Sequence, residues 1–154
     1  MESHVEDKLL LIMKRLNKSF KITVSGISMN PILFEGDVIT IEPSRIYNAG
    51  DLLVYKYEDK KLLVHRLLFI KNKKYYCKGD NSFRLEEVES EQIFGKVVAF
   101  YRNNHMIEMP NFTHELIELS LEISRIFCDY NYDIEKTKKT RTYNKYKQLI
   151  SNLK

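Results

Sequence analysis

Between residues 21 and 109 the chain breaks into short runs rich in β-branched and aromatic residues, separated by Gly, Pro, Asn and Asp, with no helical period between them. The runs at 21–24, 37–41, 52–57, 62–70, 74–77, 96–102 and 105–109 read as strands. Asn103-Asn104 separates the last two, and this pair suits the positive backbone angles of a tight hairpin. Many short strands in succession, without intervening helices, argue for a compact antiparallel barrel or sandwich. The expected fold class is therefore mainly β.

Helical periodicity frames this region on both sides. Val5, Leu9, Ile12, Met13 and Leu16 recur at amphipathic spacing over residues 5–17, with Glu6, Asp7, Lys8, Lys14 and Arg15 elsewhere. Beyond Pro110, Phe112, Leu116, Leu119, Ile123, Ile126, Phe127 and Tyr130 recur at three and four, with Thr113 placed to cap the helix. A second helix is expected over residues 133–153, with Tyr143, Tyr146, Leu149 and Ile150 on one side. The division is thus an N-terminal amphipathic helix at 1–19, a β domain at 20–110 and a helical basic extension at 111–154. A chain of 154 residues has room for one domain of ordinary size with its own core.

Composition narrows the function classes. The apolar run at 9–13 is bounded by Lys8 and Lys14 and is far shorter than the roughly twenty residues that span a bilayer. No transmembrane segment or secretory signal is expected, which favours a soluble cytoplasmic protein, peripheral to a membrane at most. Cys77 and Cys128 are far apart and fit a reducing compartment, with Cys77 read as a small buried hydrophobe. The net charge is +4, and residues 136–147 carry six basic side chains and no acid. That run reads first as a solvated helix face, then as a contact for an anionic membrane or a partner. The N-terminal helix is too short for a helix-turn-helix, so nucleic acid is not favoured. Five glycines leave little room for a phosphate-cradling loop, and no spacing suits a metal, so no cofactor is expected.

The chemistry-bearing residues come in order. Ser28 lies in Ser25-Gly26-Ile27-Ser28-Met29-Asn30-Pro31, between a strand-like run and a proline that stops regular structure, so its hydroxyl is displayed on a turn. A serine hydroxyl needs a neighbouring base to become a nucleophile. His65 sits in the apolar run at 62–68, where a lone histidine ordinarily reads as a core residue, but where a rigid strand can also hold a base. His4, His105 and His114 lie at a terminus, a turn and a helix start and read as solvated; Lys56 is the runner-up base. Lys78-Gly79-Asp80-Asn81 follows, then the acidic stretch at 86–91.

These boxes resemble the type I signal peptidase superfamily, which includes the self-cleaving SOS-repressor proteases, over about residues 21–100. The resemblance implies the coiled antiparallel β fold of the signal peptidases, with Ser28 of the Gly-x-Ser-Met-x-Pro box as nucleophile. His65-Arg66 occupies the place of the family's base, as in its histidine branch, and Gly79-Asp80-Asn81 matches its Gly-Asp-Asn box. The third member is left between Asp80 and Glu86, because the family expects an aspartate where Glu86 stands. Met29 is implied to line the substrate groove. The Ser28 N–H is implied as an oxyanion donor, with an N–H of the preceding loop or the Ser25 hydroxyl as the second. The function implied is a serine endopeptidase cleaving a signal, leader or precursor peptide by a Ser-His-Asp/Glu mechanism. Its partners would be a peptide or protein substrate, and a membrane surface or an export or modification complex reached through the terminal helices. A non-catalytic peptide-binding module on the same fold, or a self-cleaving regulator, is the alternative.

Overall fold

The computed structural model describes residues 2–58 and 61–153, with the side chains of residues 2–7 and 61 left undescribed. Helix α1 (Glu2–Arg15) leads into β1 (Phe20–Thr23), β2 (Val38–Glu42), β3 (Leu52–Tyr57), β4 (Lys61–Lys71), β5 (Lys74–Lys78) and β6 (Glu86–Val88). A 3₁₀ turn (Ser90–Gln92) then precedes β7 (Ile93–Arg102) and β8 (His105–Ile107), and α2 (His114–Asp129), α3 (Ile134–Lys138) and α4 (Arg141–Ser151) close the chain. The strands form one antiparallel 8-stranded sheet in the order β1-β2-β7-β3-β4-β5-β6, with β8 added to β7. The mainly β expectation is met.

Register shifts at Thr40/Ile41, Val54/Tyr55 and Leu67/Phe69 mark irregularities where an extra residue bends a strand and increases its twist. They curl the sheet, and they do so without closing it. Among the described residues β1 is bonded only to β2, and β5 covers β4 only from Arg66 to Lys71. The first half of β4 and the outer side of β1 therefore keep open backbone edges. Tight turns at Asn72-Lys73 and Asn103-Asn104, all with φ between 52° and 63°, join β4 to β5 and β7 to β8.

One hydrophobic core joins sheet and helices. Met29, Leu33, Ile39, Val54 and Phe100 pack in the same cluster as Leu116 and Ile123 of α2 and Tyr146 and Ile150 of α4. A smaller cluster on the other face holds Tyr47, Leu53, Tyr55, Leu67, Cys77, Val88 and Ile93. Cys77 is fully buried there, and Cys128 is exposed.

Three local expectations change. Helix α1 buries Leu10 and leaves Leu9, Ile12 and Leu16 exposed, so the apolar stripe read from spacing is largely not the face that packs; the side chain of Val5 lies outside the described residues. The helix expected over 133–153 is two helices, because Thr140 turns its hydroxyl to the N–H of Tyr143 and begins α4 afresh. Finally, the acidic stretch after Leu85 contains β6, in which Glu86 and Val88 point inward and Glu87 outward. No helix of the described residues is long and apolar enough to cross a membrane.

Candidate active site

Ser28 sits on the turn that follows β1. Gly26 takes φ 82°, a left-handed angle that suits glycine, and the carbonyl of Ile27 accepts from the N–H of Asn30 to close the turn. The Ser28 hydroxyl lies 3.1 Å from Nε2 of His65, a buried residue on β4 opposite Leu53 of β3. On the other side of the ring, Nδ1 lies 2.6 Å from Oε1 of Glu86, and both side chains are more than nine-tenths buried. An ionised carboxylate only accepts, so the imidazole hydrogen belongs on Nδ1 and the Nε2 lone pair faces Ser28. Tyr55 of β3 donates its hydroxyl to the same Oε1 at 2.5 Å. Burial, with the nearby Cys77 and Glu86, drives the Tyr55 hydroxyl far above its ordinary pKa, so it stays protonated and keeps donating.

Asp80 lies elsewhere. Its carboxylate is gripped by Arg66, with Nη2 at 2.7 Å and Nε at 3.2 Å, in a buried two-pronged pair. Arg66 also donates to the carbonyl of Gly50 and lies over the ring of Phe112 at 4.0 Å. Of the two acids read from sequence, the structure brings Glu86 to the imidazole and gives Asp80 to the guanidinium. Asp80 instead fixes the loop behind Ser28. Its N–H donates to Sδ of Met29 at 3.3 Å, and its carbonyl accepts from the hydroxyl of Tyr146 at 2.7 Å.

The same loop is pressed against the Ser28 turn. Asn81 donates its N–H to the carbonyl of Ser28 at 2.8 Å and its amide to that of Ile27 at 3.1 Å. Gly79 is required by this approach: a Cβ there would stand 2.7 Å from the Ser28 carbonyl oxygen and 3.1 Å from Nε2 of His65. Lys78 runs inward, donating to Oγ of Ser120 on α2 at 2.9 Å, with its ammonium 5.4 Å from the ring centre of Tyr146 on α4. Complete burial pulls its pKa down to about 8, with the charge of Asp80 opposing the fall. Helices α2 and α4 thus hold the Lys78–Asn81 loop from behind.

Beside Ser28 lies a slot of about 210 Å³, lined by residues 22–26, 28, 29 and 62–64. Its walls are the two open strand edges. Ser25 is exposed on the rim, and Met29 is buried in the floor as part of the main core. No hydrogen bond from the Ser28 N–H is made among the described residues. Lys56 lies opposite Leu62 on β3, while the Ser28 hydroxyl is bonded to His65. His105 and His114 are exposed, and the side chain of His4 lies outside the described residues. No group of three His, Cys, Asp or Glu that would hold a metal occurs among the described residues.

Tyr55 is the site residue that sequence reasoning missed. Strand alternation held the signal: with Leu53 opposite His65, residue 55 falls on the same face one step along β3.

No curated protein matches the chain. The Peptidase S24-like family model matches residues 2–98, which span α1, the Ser28 turn, β4 with His65, the Lys78–Asn81 loop, Glu86 and most of β7.

Proposed function

The chain belongs to the Peptidase S24-like family, and we propose that it is a serine endopeptidase that cuts an extended segment of a signal, leader or precursor peptide. The observation that carries this reading is the unbroken line Ser28 Oγ, His65 Nε2, His65 Nδ1, Glu86 Oε1, with links of 3.1 and 2.6 Å. Ser28 Oγ attacks the peptide carbonyl carbon while its proton passes to Nε2, and Glu86 balances the imidazolium that forms. The oxyanion faces the Ser28 N–H, with Ser25 or a loop N–H as second donor. Collapse of the tetrahedral species breaks the C–N bond, and Nε2 returns the proton to the departing amine. Water then attacks the acyl ester and gives a proton to Nε2; collapse of the second tetrahedral species breaks the C–Oγ bond, Nε2 returns the proton to Oγ, and the acid leaves with Ser28 restored.

Substrate recognition follows from the slot. An extended peptide laid between β1 and β4 bonds to both open edges, and backbone bonding of this kind supplies affinity without demanding a sequence.

The test is an acylating probe, a fluorophosphonate, with the adduct located by mass spectrometry. The reading expects the adduct on Ser28, loss of labelling in His65→Ala, and no cleavage of test peptides by Ser28→Ala. Cleavage that persists in both variants overturns it. Peptide binding without cleavage by the unmodified chain would assign the fold to a binding module instead.

A further inference from the structure

A second cleft, of about 410 Å³, adjoins the Ser28 turn through Asn81 and opens between the 81–84 loop and the C-terminal helices. It shares no lining residue with the strand slot. Its walls are aromatic: Phe83 packs at 5.5 Å from Phe127 and 5.8 Å from Tyr143, and Tyr132 stands edge-on to Phe127 at 5.4 Å. Tyr132 and Ile134, at the mouth, remain exposed. The family match covers residues 2–98, so the helical wall of this cleft lies outside the matched residues.

The mouth is held in an unfavourable backbone. Helix α2 is closed by bonds from Tyr132 N–H to the Phe127 carbonyl and from Asn131 N–H to the Cys128 carbonyl. Such a closure asks for one left-handed residue, and Asn131 supplies it at φ 53°. Tyr132 is left-handed as well, at φ 62°, which is rare for a bulky side chain. The angle stands its ring against Phe127 at the cleft's edge.

We propose that this cleft is the subsite for the leaving half of the substrate, taking an aromatic or branched aliphatic side chain two or three residues beyond the cut. This rests on the catalytic reading given above. The occupant follows from continuity. The acyl half stays tied to Ser28 through the second step and is held by the two strand edges, whose backbone bonds need no particular side chain. Asn81 donates to the carbonyls of Ile27 and Ser28 and also lines the cleft, so the cleft borders the turn that carries Ser28, and it shares no residue with the slot assigned to the acyl half. An extended chain advances about 3.3 Å per residue, so the proposal places the occupant two or three residues on, about 7–10 Å from the cut. The cleft is open and its aromatic walls share the lining with Asn81, Ser82 and Arg84, so partial cover of one such ring should discriminate by about tenfold in kcat/KM.

The experiment uses the full chain with a mixture of linear peptides varied on both sides of the cut, with products identified by mass spectrometry. A parallel sample is treated with the fluorophosphonate. The unmodified chain is expected to label on Ser28 and to favour an aromatic or branched residue at the second or third leaving-side position by about tenfold or more. Tyr132→Ser combined with Ile134→Ser should level that preference, and Ile46→Ser, an exposed change elsewhere, should retain it. Labelling at Ser28 with no leaving-side preference, or with the aromatic preference on the acyl side, overturns the subsite and spares the catalytic reading. Neither labelling nor cleavage overturns both.

Discussion

Glu86 and Asp80 are both buried carboxylates, and their partners give them different work. Glu86→Gln puts an amide beside Nδ1 that can donate, which turns the imidazole hydrogen onto Nε2 and blocks proton uptake from Ser28. The expected result is a fall in kcat of about 10³ to 10⁴ with little change in urea midpoint. Asp80→Asn strands the buried Arg66 guanidinium, so the expected loss is in stability, about 3–5 kcal/mol by denaturant titration. Tyr55→Phe removes one donor from Glu86 and should lower kcat about fivefold while the fold stays intact, a net effect of about 1 kcal/mol. Sequence reading held both acids in view because each sits near the Gly-Asp-Asn box. What separated them was not visible as composition: an acidic stretch looks solvated until strand alternation turns Glu86 inward and Glu87 outward. Tyr55 carried no motif, only a place on the right face of a strand.

At the level of elements, the Lys78–Asn81 loop joins the helices to the Ser28 turn. Gly79→Ala drives a methyl group into the Ser28 carbonyl. It should cost about 1–3 kcal/mol and push Ser28 away from His65, read as a lowered urea midpoint together with loss of fluorophosphonate labelling. Lys78 gives a pH signature. Below about 8 both folded and unfolded chains hold its proton, and the burial penalty is fully present. Between about 8 and the ordinary 10.5, the folded chain has released a proton that the unfolded chain keeps, so stability rises with pH. Urea midpoints measured on either side of that window should therefore climb in the unmodified chain relative to Lys78→Met. The helices themselves were legible from their apolar spacing and from Thr113, whose hydroxyl caps α2. The break between α3 and α4 was not, because Thr140 serves equally well inside a helix pattern until its side chain is seen to accept from Tyr143.

Taken whole, the molecule unfolds as one body if its core is one. Leu116, Ile123, Tyr146 and Ile150 share a cluster with Met29, Ile39 and Phe100, so helices and sheet should lose structure together. Far-ultraviolet dichroism and tyrosine fluorescence should give coincident urea transitions, and a chain ending at Met109 should lack a cooperative one. The mainly β plan was readable because turn residues punctuate the strands; the strand order was not, since β7 inserts between β2 and β3 and only long-range pairing decides that. The uncurtained gap between β1 and β4 has its own effect. Amide groups are alike in every polypeptide, so a seam that recognises them admits any slack, unfolded stretch that drifts in. If the proposed activity holds, denatured chains of unrelated origin should thus behave as competitors that occupy the seam and are seldom cut, leaving fidelity to the side chains met after docking.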